Sequence, residues 1–269
     1  MTVLDFQENL RQTGQYHTPP ERVRKPVPVP LASFFFHLRI LGIITRGGLQ
    51  AYFPEFETKE WRKFCYRIHR LSENLGGNVS FTGFDQVNNA AFPAVWVANH
   101  VSALETYLLP QAIMAYTRLS IILKTSLKYY PAVGQIVRSI NPITVNRKNA
   151  LEDLRRVLTK GQELLAEGRS VLVFPEGHRM LTFDPAQFNS MGVKLAQRAG
   201  VPVIPVAVKP GFMKLNSILK DLPSIHPRET IRYACGPVLP PSMPPKEIHA
   251  TCLDFIASKM EGWRKDSDG

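Results

Sequence analysis

The sequence predicts an α/β fold: a largely parallel sheet flanked by helices, with an N-terminal helical segment ahead of it. Three observations predict it. From residue 79 onward, short apolar runs alternate with longer amphipathic stretches, as strands alternate with crossover helices. Polar side chains follow directly on three of those runs, at His100, Arg147 and Glu176 to Arg179, and in such sheets ligands lie beyond the carboxyl ends of the strands. The chain of 269 residues is 44% apolar, which is globular rather than disordered and long enough for a sizeable core.

Residues 1–30 read as a poorly ordered, basic, proline-rich arm, because Pro19, Pro20, Pro26, Pro28 and Pro30 exclude helix and favour extended chain. Residues 31–53 form the most apolar region. His37, Arg39 and Arg46 interrupt it, so a helix lying in a membrane interface fits better than a spanning one. A buried helix of a soluble core is the alternative. Thr58 to Asn74 reads as an amphipathic helix with Trp61, Phe64, Cys65, Ile68 and Leu71 on one face, ended by Gly76 and Gly77. Arg62, Lys63, Arg67 and Arg70 lie on its other side, as a solvated face or a second membrane contact. Val79 to Thr82 is a strand, with a turn near Asn88.

The next stretch carries the chemistry. Ala94 to Ala98 is a short buried strand, after which polarity changes at Asn99. Ser102 can cap a helix starting near Ala103 with Leu104, Tyr107 and Leu108 on one face. His100 thus ends a strand while Glu105 opens a helix. On one continuous helix a five-residue step separates side chains by roughly 140°; the break lets the carboxylate return to the imidazole. A carboxylate beside histidine fixes its tautomer and stabilises the imidazolium, which suits activation of a hydroxyl. Taken alone, the stretch equally accommodates a helix-entry histidine and a first-turn acid favoured by the helix dipole.

Further strands are expected at Ser120 to Lys124, Ile143 to Val145, Ser170 to Phe174, Val201 to Val208 and Thr230 to Ala234. Ser126 to Tyr130 is a short connection or helix. Pro205 argues that the fourth of these strands is an edge or irregular one. Helices are expected from Asn149, with Glu152 completing a capping-box-like start, from Met191 to Ala199, and from Lys246 to Trp263. Arg147 and Arg179 together can bind a phosphate by forked, charge-assisted contacts, and Gly177 lets backbone approach a ligand.

These blocks resemble, in order, those of the glycerolipid acyltransferase family. Asn99-His100-Val-Ser102-Ala-Leu-Glu105 is similar to its NHxSxxD block. Lys124, Pro131 and Gly134 resemble its lysine-to-glycine segment, and Val145-Asn-Arg147 the end of its second block. Phe174-Pro-Glu-Gly-His-Arg179 resembles FPEGTR, and Val201 to Val206 resembles VPVIPV. The resemblance implies transfer of a fatty acyl group from a thioester donor, acyl-CoA or acyl-carrier protein, to the hydroxyl of a lysophospholipid. His100 would be the base and Glu105 its orienting group. The substrate-binding residues it implies are Asn99, Ser102, Lys124, Arg147, Glu176, Gly177 and Arg179. No cofactor and no metal are expected. Glu105 stands where the family has aspartate, His178 where it has threonine, Met180 where it has serine and Asn141 where it has glycine. Asn189 and Met191 replace the lysine and glycine of a later segment. These departures cluster on the acceptor side.

The net charge of +11 points to a polyanionic partner, here an anionic membrane surface. Nucleic acid is excluded as a partner because the aromatics sit on apolar helix faces rather than interleaving basic strand surfaces. Three cysteines without pairing or metal-ligand spacing, and no secretory signal, predict reduced thiols at the cytoplasmic face of a membrane. A non-catalytic basic protein and a soluble hydrolase remain alternatives, though no GxSxG elbow supplies a nucleophile. The expected division is an arm over 1–30, a helical interfacial segment over 31–78, an α/β domain over 79–245 and a terminal helix over 246–269.

Overall fold

Alternate residues of a strand point to opposite faces, and the central apolar runs use this to build two cores. Trp96, Leu172, Ile204 and Val206 go to one face, while Val95, Val97, Val171, Val173 and Val203 go to the other. A sheet apolar on both faces needs helices on both, and it has them. The computed structural model describes residues 1–57, 59–180, 182–214 and 222–268. Its elements in chain order are α1 (Val3–Thr13), β1 (Tyr16–His17), α2 (Val29–Gln50), α3 (Glu60–Asn74), β2 (Asn78–Thr82), β3 (Val95–Ala98), α4 (Glu105–Ile113), β4 (Arg118–Lys124), α5 (Val133–Ser139), β5 (Ile143–Val145), α6 (Ala150–Ala166), β6 (Arg169–Val173), α7 (Met191–Ala199), β7 (Val203–Pro210), β8 (Met213–Lys214), β9 (Ser224–Ile225), β10 (Thr230–Cys235) and α8 (Pro245–Asp268).

The sheet order is β1-β2-β10-β7-β3-β6-β4-β5, with β8 and β9 forming a separate pair. From β7 through β5 every pairing is parallel. The antiparallel pairings of the large sheet are β1 with β2 and β10 with β7. The ends of β3, β4, β5 and β6 therefore lie along one edge. After β3 the chain passes to α4, which packs in the core of Trp96; after β6 it passes to α7, in the core of Val95. Neighbouring strands whose connections leave to opposite faces open a crevice.

Asn149 caps α6 as expected, its Oδ1 accepting from the N–H groups of Leu151 at 3.1 Å and Glu152 at 3.2 Å. Gly200, at φ +66°, ends α7 in the left-handed conformation. The expected start of α3 at Thr58 lies outside the described residues. The three cysteines are buried and unpaired.

Two expectations need correction. The first thirty residues are not a loose arm. The prolines begin only at Pro19, so residues 3–13 are free to form a helix, and a capping box starts it: the Thr2 N–H donates to Asp5 Oδ2 at 2.6 Å and the Asp5 N–H to Thr2 Oγ1 at 3.3 Å. Phe6 and Leu10, four apart, are fully buried. Nor is β7 an edge strand, since it lies between β10 and β3. Its pairing with β10 ends at Val206, one residue before Pro205 is reached. The Pro205 carbonyl accepts from the Gly236 N–H at 2.8 Å, so the missing proline N–H faces the end of that ladder, where no bond is lost.

Helix α2 packs along the body instead of projecting from it. A Cβ on Gly47 would come within 2.7 Å of the Phe64 ring, and one on Gly48 within 2.8 Å of Ala132, so these glycines allow close approach to α3 and α5. Near its other end the Ile225 N–H donates to Ser33 Oγ at 2.9 Å. Its outward side stays apolar and uncovered: Phe34, Leu38 and Leu41 are 61%, 57% and 62% exposed. By length and composition it is apolar enough to cross a membrane, yet only 11% of that apolar window is buried. The buried-core alternative therefore fails.

Candidate active site

The turn between β3 and α4 returns a carboxylate to the histidine five residues earlier. Glu105 Oε1 lies 2.9 Å from His100 Nδ1. It also accepts from the N–H groups of Val101 and Ser102, both at 2.6 Å, while Oε2 accepts from Ser102 Oγ at 2.6 Å. Ser102 Oγ in turn accepts from the Leu104 N–H at 2.9 Å, so α4 begins two residues later than the sequence suggests. Glu105 is fully buried while the His100 side chain is 12% exposed. Because an ionised carboxylate only accepts, Nδ1 carries the proton and Nε2 keeps its lone pair. The ring stacks on Phe174, with centroids 4.5 Å apart. That contact fixes the ring plane.

His100 opens into a cavity of about 610 Å³. Its walls combine two chemistries. Ile122, Leu123, Leu127, Val145 and Val173 make one part apolar, while Lys124, Arg147, Lys148 and Arg179 make the other basic. Arg147 sits in a left-handed conformation, φ +60°, which costs a non-glycine residue about 1 kcal/mol or more. Asp153, in the first turn of α6, holds that turn by accepting from the Asn146 N–H at 2.9 Å and the Arg147 N–H at 2.7 Å. Burial, then the charge of Arg179, pulls the Arg147 guanidinium below its usual pKa, with Asp153 opposing. Two guanidinium groups close enough to repel make a site for a shared anion. Asn141, which stands where the family resembled has glycine, also has positive φ, +47°. Asparagine tolerates that region better than other side chains.

The expected site residues divide into two sets. His100, Lys124, Arg147, Gly177 and Arg179 line the cavity. Asn99, Ser102 and Glu176 do not face it, and their polar atoms are used inside the protein. Asn99 exchanges two 2.8 Å hydrogen bonds with the backbone of Val208, tying β3 to β7. Ser102 and Glu105 hold one another. Glu176 accepts from the His100 backbone N–H, while the Met180 N–H donates to the His100 carbonyl at 2.7 Å. The segment after β6 thus grips the His100 turn from both sides. Burial pushes the Glu176 carboxyl up to about 7; the His100 N–H opposes this, and the charges of Glu105 and Asp184 add to it. His178 is exposed and does not line the cavity, whereas Asn189 and Met191 do.

Sequence reasoning missed Asp153, Phe174 and Tyr107. Asp153 had a signal, four residues after the Asn149 cap and in reach of the preceding turn. Phe174 and Tyr107 had none beyond ending a strand or lying on an apolar helix face. The serine and threonine hydroxyls nearest His100 in sequence are engaged: Ser102 is buried and bonded, and Thr106 Oγ1 donates to the Ala103 carbonyl at 2.6 Å. The arrangement suits deprotonation of a bound hydroxyl next to an anion site and an apolar wall.

Known proteins resemble this chain in sequence and in fold. Residues 78–209 match the family model described as Acyltransferase. A 1-acyl-sn-glycerol-3-phosphate acyltransferase of Pseudomonas aeruginosa is 30% identical over 156 residues, covering 58% of this chain and 58% of that protein. A 1-acyl-sn-glycerol-3-phosphate acyltransferase of Saccharomyces cerevisiae is 30% identical over 147 residues, covering 54% of this chain and 46% of that one. The chain thus spans about half the length of these curated relatives. The crystal structure of the 1-acyl-sn-glycerophosphate (LPA) acyltransferase PlsC from Thermotoga maritima matches with a TM-score of 0.64 and 19% identity, over 88% of this chain and 96% of that one. At that identity the likeness is one of fold.

Proposed function

We propose, from the match of residues 78–209 to the acyltransferase family model, that this chain is an O-acyltransferase acting at a membrane surface. It moves a fatty acyl group from acyl-CoA or acyl-carrier protein to the hydroxyl of a lysophospholipid such as 1-acyl-glycerol-3-phosphate, the acceptor class of its relatives. The observation that carries this reading is the His100–Glu105 pair opening into a cavity that is apolar on one side and basic on the other. Nε2 of His100 takes the proton of the acceptor hydroxyl as its oxygen bonds to the thioester carbonyl carbon. The tetrahedral intermediate then expels the thiolate, which recovers the proton from the imidazolium. Glu105 stabilises that cation and, saturated by four contacts, stays in place. Arg147 and Arg179 hold the acceptor phosphate, and the apolar wall takes acyl chain. Transfer is direct, without an acyl-enzyme, in keeping with Ser102 and Thr106 both being engaged in hydrogen bonds.

The outward apolar side of α2 supports a peripheral or monotopic position, with the cavity served from the bilayer. Buried, unpaired cysteines fit a cytoplasmic face. A second reading keeps the transfer and changes the acceptor to another lysolipid; it rests on Asn189 and Met191 in the cavity wall, where the family resembled has lysine and glycine.

The test is thioester release from palmitoyl-CoA across a panel of lysolipids, with a thiol reagent reporting free CoA. Loss of a general base lowers the rate by about 10²–10⁴-fold, so His100→Ala should fall by that much while its circular dichroism is unchanged. Release that needs one acceptor and His100 would establish the reaction and name the substrate. Acceptor-independent release would make it a thioesterase, and full activity in His100→Ala would sink the mechanism.

A further inference from the structure

A second basic site lies away from the His100 cavity, in a groove of about 490 Å³ between α2 and α3. Four arginines line it: Arg39 and Arg46 from α2, Arg67 and Arg70 from α3. Seven residues separate the first two, nearly two turns, and three separate the others, so each pair shares a helix face. The acyl-transfer mechanism uses none of them.

Their charges are unequally compensated. Arg70 pairs with the buried Glu73. Arg67 donates to the neutral amide oxygen of Gln50 at 2.9 Å, and the charge of Glu60 offsets its own only in part. Arg39 and Arg46 are exposed and have no hydrogen-bond or ion-pair partner among the described residues. Burial, then the charge of Arg46, lowers the pKa of Arg67, so these two guanidinium groups are near enough to repel. Two unpaired cations and a third only partly compensated, in one groove, favour an anion with more than one charge.

The position of the groove selects the source of that anion. In helical projection Arg39 and Arg46 lie roughly 115–135° round from the centre of the exposed apolar side formed by Phe34, Leu38 and Leu41, on the flank toward the protein body. With that side in the acyl region, the arginines stand at headgroup depth. We propose that this groove binds the phosphomonoester headgroup of a phosphatidate-class lipid in the same leaflet, the class of molecule that the proposed reaction makes. Forked contacts from Arg46 and Arg67 to one phosphate relieve their mutual repulsion, and Arg39 takes a remaining oxygen. A phosphodiester headgroup carries one charge fewer and presents one oxygen fewer. The inference rests on the membrane-surface reading of α2, and does not require that acyl transfer occurs.

The experiment is sedimentation of the full chain with phosphatidylcholine vesicles that contain either phosphatidate or phosphatidylglycerol, matched in surface charge. The unmodified chain should bind phosphatidate vesicles at least about 10-fold more tightly. The double substitution Arg39→Gln and Arg46→Gln should abolish the preference. Arg155→Gln with Lys194→Gln removes equal charge from exposed positions on α6 and α7, across the sheet, and should retain it. Arg46→Lys keeps the charge but loses the fork, and should narrow the preference while leaving phosphatidylglycerol binding unchanged. No vesicle binding, no preference in the unmodified chain, or a preference that survives the Arg39/Arg46 substitutions would each overturn the proposal. So would equal loss in the Arg155/Lys194 control. Acyl transfer measured in detergent on the same samples separates the two ideas, since an inactive chain that still prefers phosphatidate sinks only the acyltransferase.

Discussion

Glu105 shows how one methylene changes what a turn can do. Its carboxylate must cross a strand-to-helix break to reach the residue five earlier, and on arrival it meets two backbone N–H groups, a hydroxyl and an imidazole. The chain accommodates glutamate where the family resembled has aspartate because the turn itself supplies the donors. The pairing with His100 was legible from spacing and the change of polarity. The role of Glu176 was not, because a sequence shows which residues end a strand but not which way each side chain turns. Its carboxylate faces the His100 backbone, and burial pushes its pKa from the ordinary 4.5 up to about 7. The folded state thus binds the proton more tightly than the unfolded state. Stability contributed at this position is full below pH 4.5 and declines as pH rises toward 7, then levels off. Urea unfolding of the native chain and Glu176→Gln over that range should show the native chain losing stability relative to the variant as pH rises. A constant difference would mean that Glu176 titrates normally.

At the level of elements, periodicity located most of the fold, and the failures have local causes. The strands from Val95 to Val173 and the helices α6 and α7 stand where apolar spacing put them. The start of α1 was hidden by the prolines that follow it, although Thr2 and Asp5 had the spacing of a cap. Pro205 left two readings, an edge strand or an irregular, non-bonded position, and the second holds because the ladder with β10 ends one residue away, a fact of strand register that no local pattern contains. For α2 the sequence left three readings, and packing removes one. Because Leu38 and Leu41 touch solvent and not core, replacing both with aspartate should leave the melting temperature within a degree or two of the native value. Burying a leucine contributes about 1.5–3 kcal/mol, so the same pair of changes should weaken vesicle binding by at least about 10-fold in sedimentation. Unaltered binding would place the membrane contact elsewhere.

Across the whole molecule, the segment that matches the family model and the segment that folds have different edges. The family match begins at residue 78, but α1 is already part of the main core. Gln7 Nε2 donates to the Gln111 carbonyl at 2.9 Å and an Arg11 guanidinium N–H to the Ala115 carbonyl at 2.9 Å, at the end of α4 opposite Glu105. Tyr16 donates its hydroxyl to the buried Glu73 at 2.6 Å. Leu10→Ala, far from the cavity, should therefore cost about 2–5 kcal/mol in denaturant unfolding, the range for an emptied buried leucine site. A cost under 1 kcal/mol would show that α1 is only loosely attached.

The strand order also sets a timetable. Strand β2 lies between β1 and β10, and β10 begins at Thr230, so one side of the sheet must wait during synthesis until most of the chain has left the ribosome. Contacts this distant in sequence form late. Through that interval α2 is already synthesised, apolar and without its neighbour β9. Helices α3 and α5 can meet its Gly47–Gly48 end early, whereas the end at Ser33 must wait for Ile225 to supply its hydrogen bond.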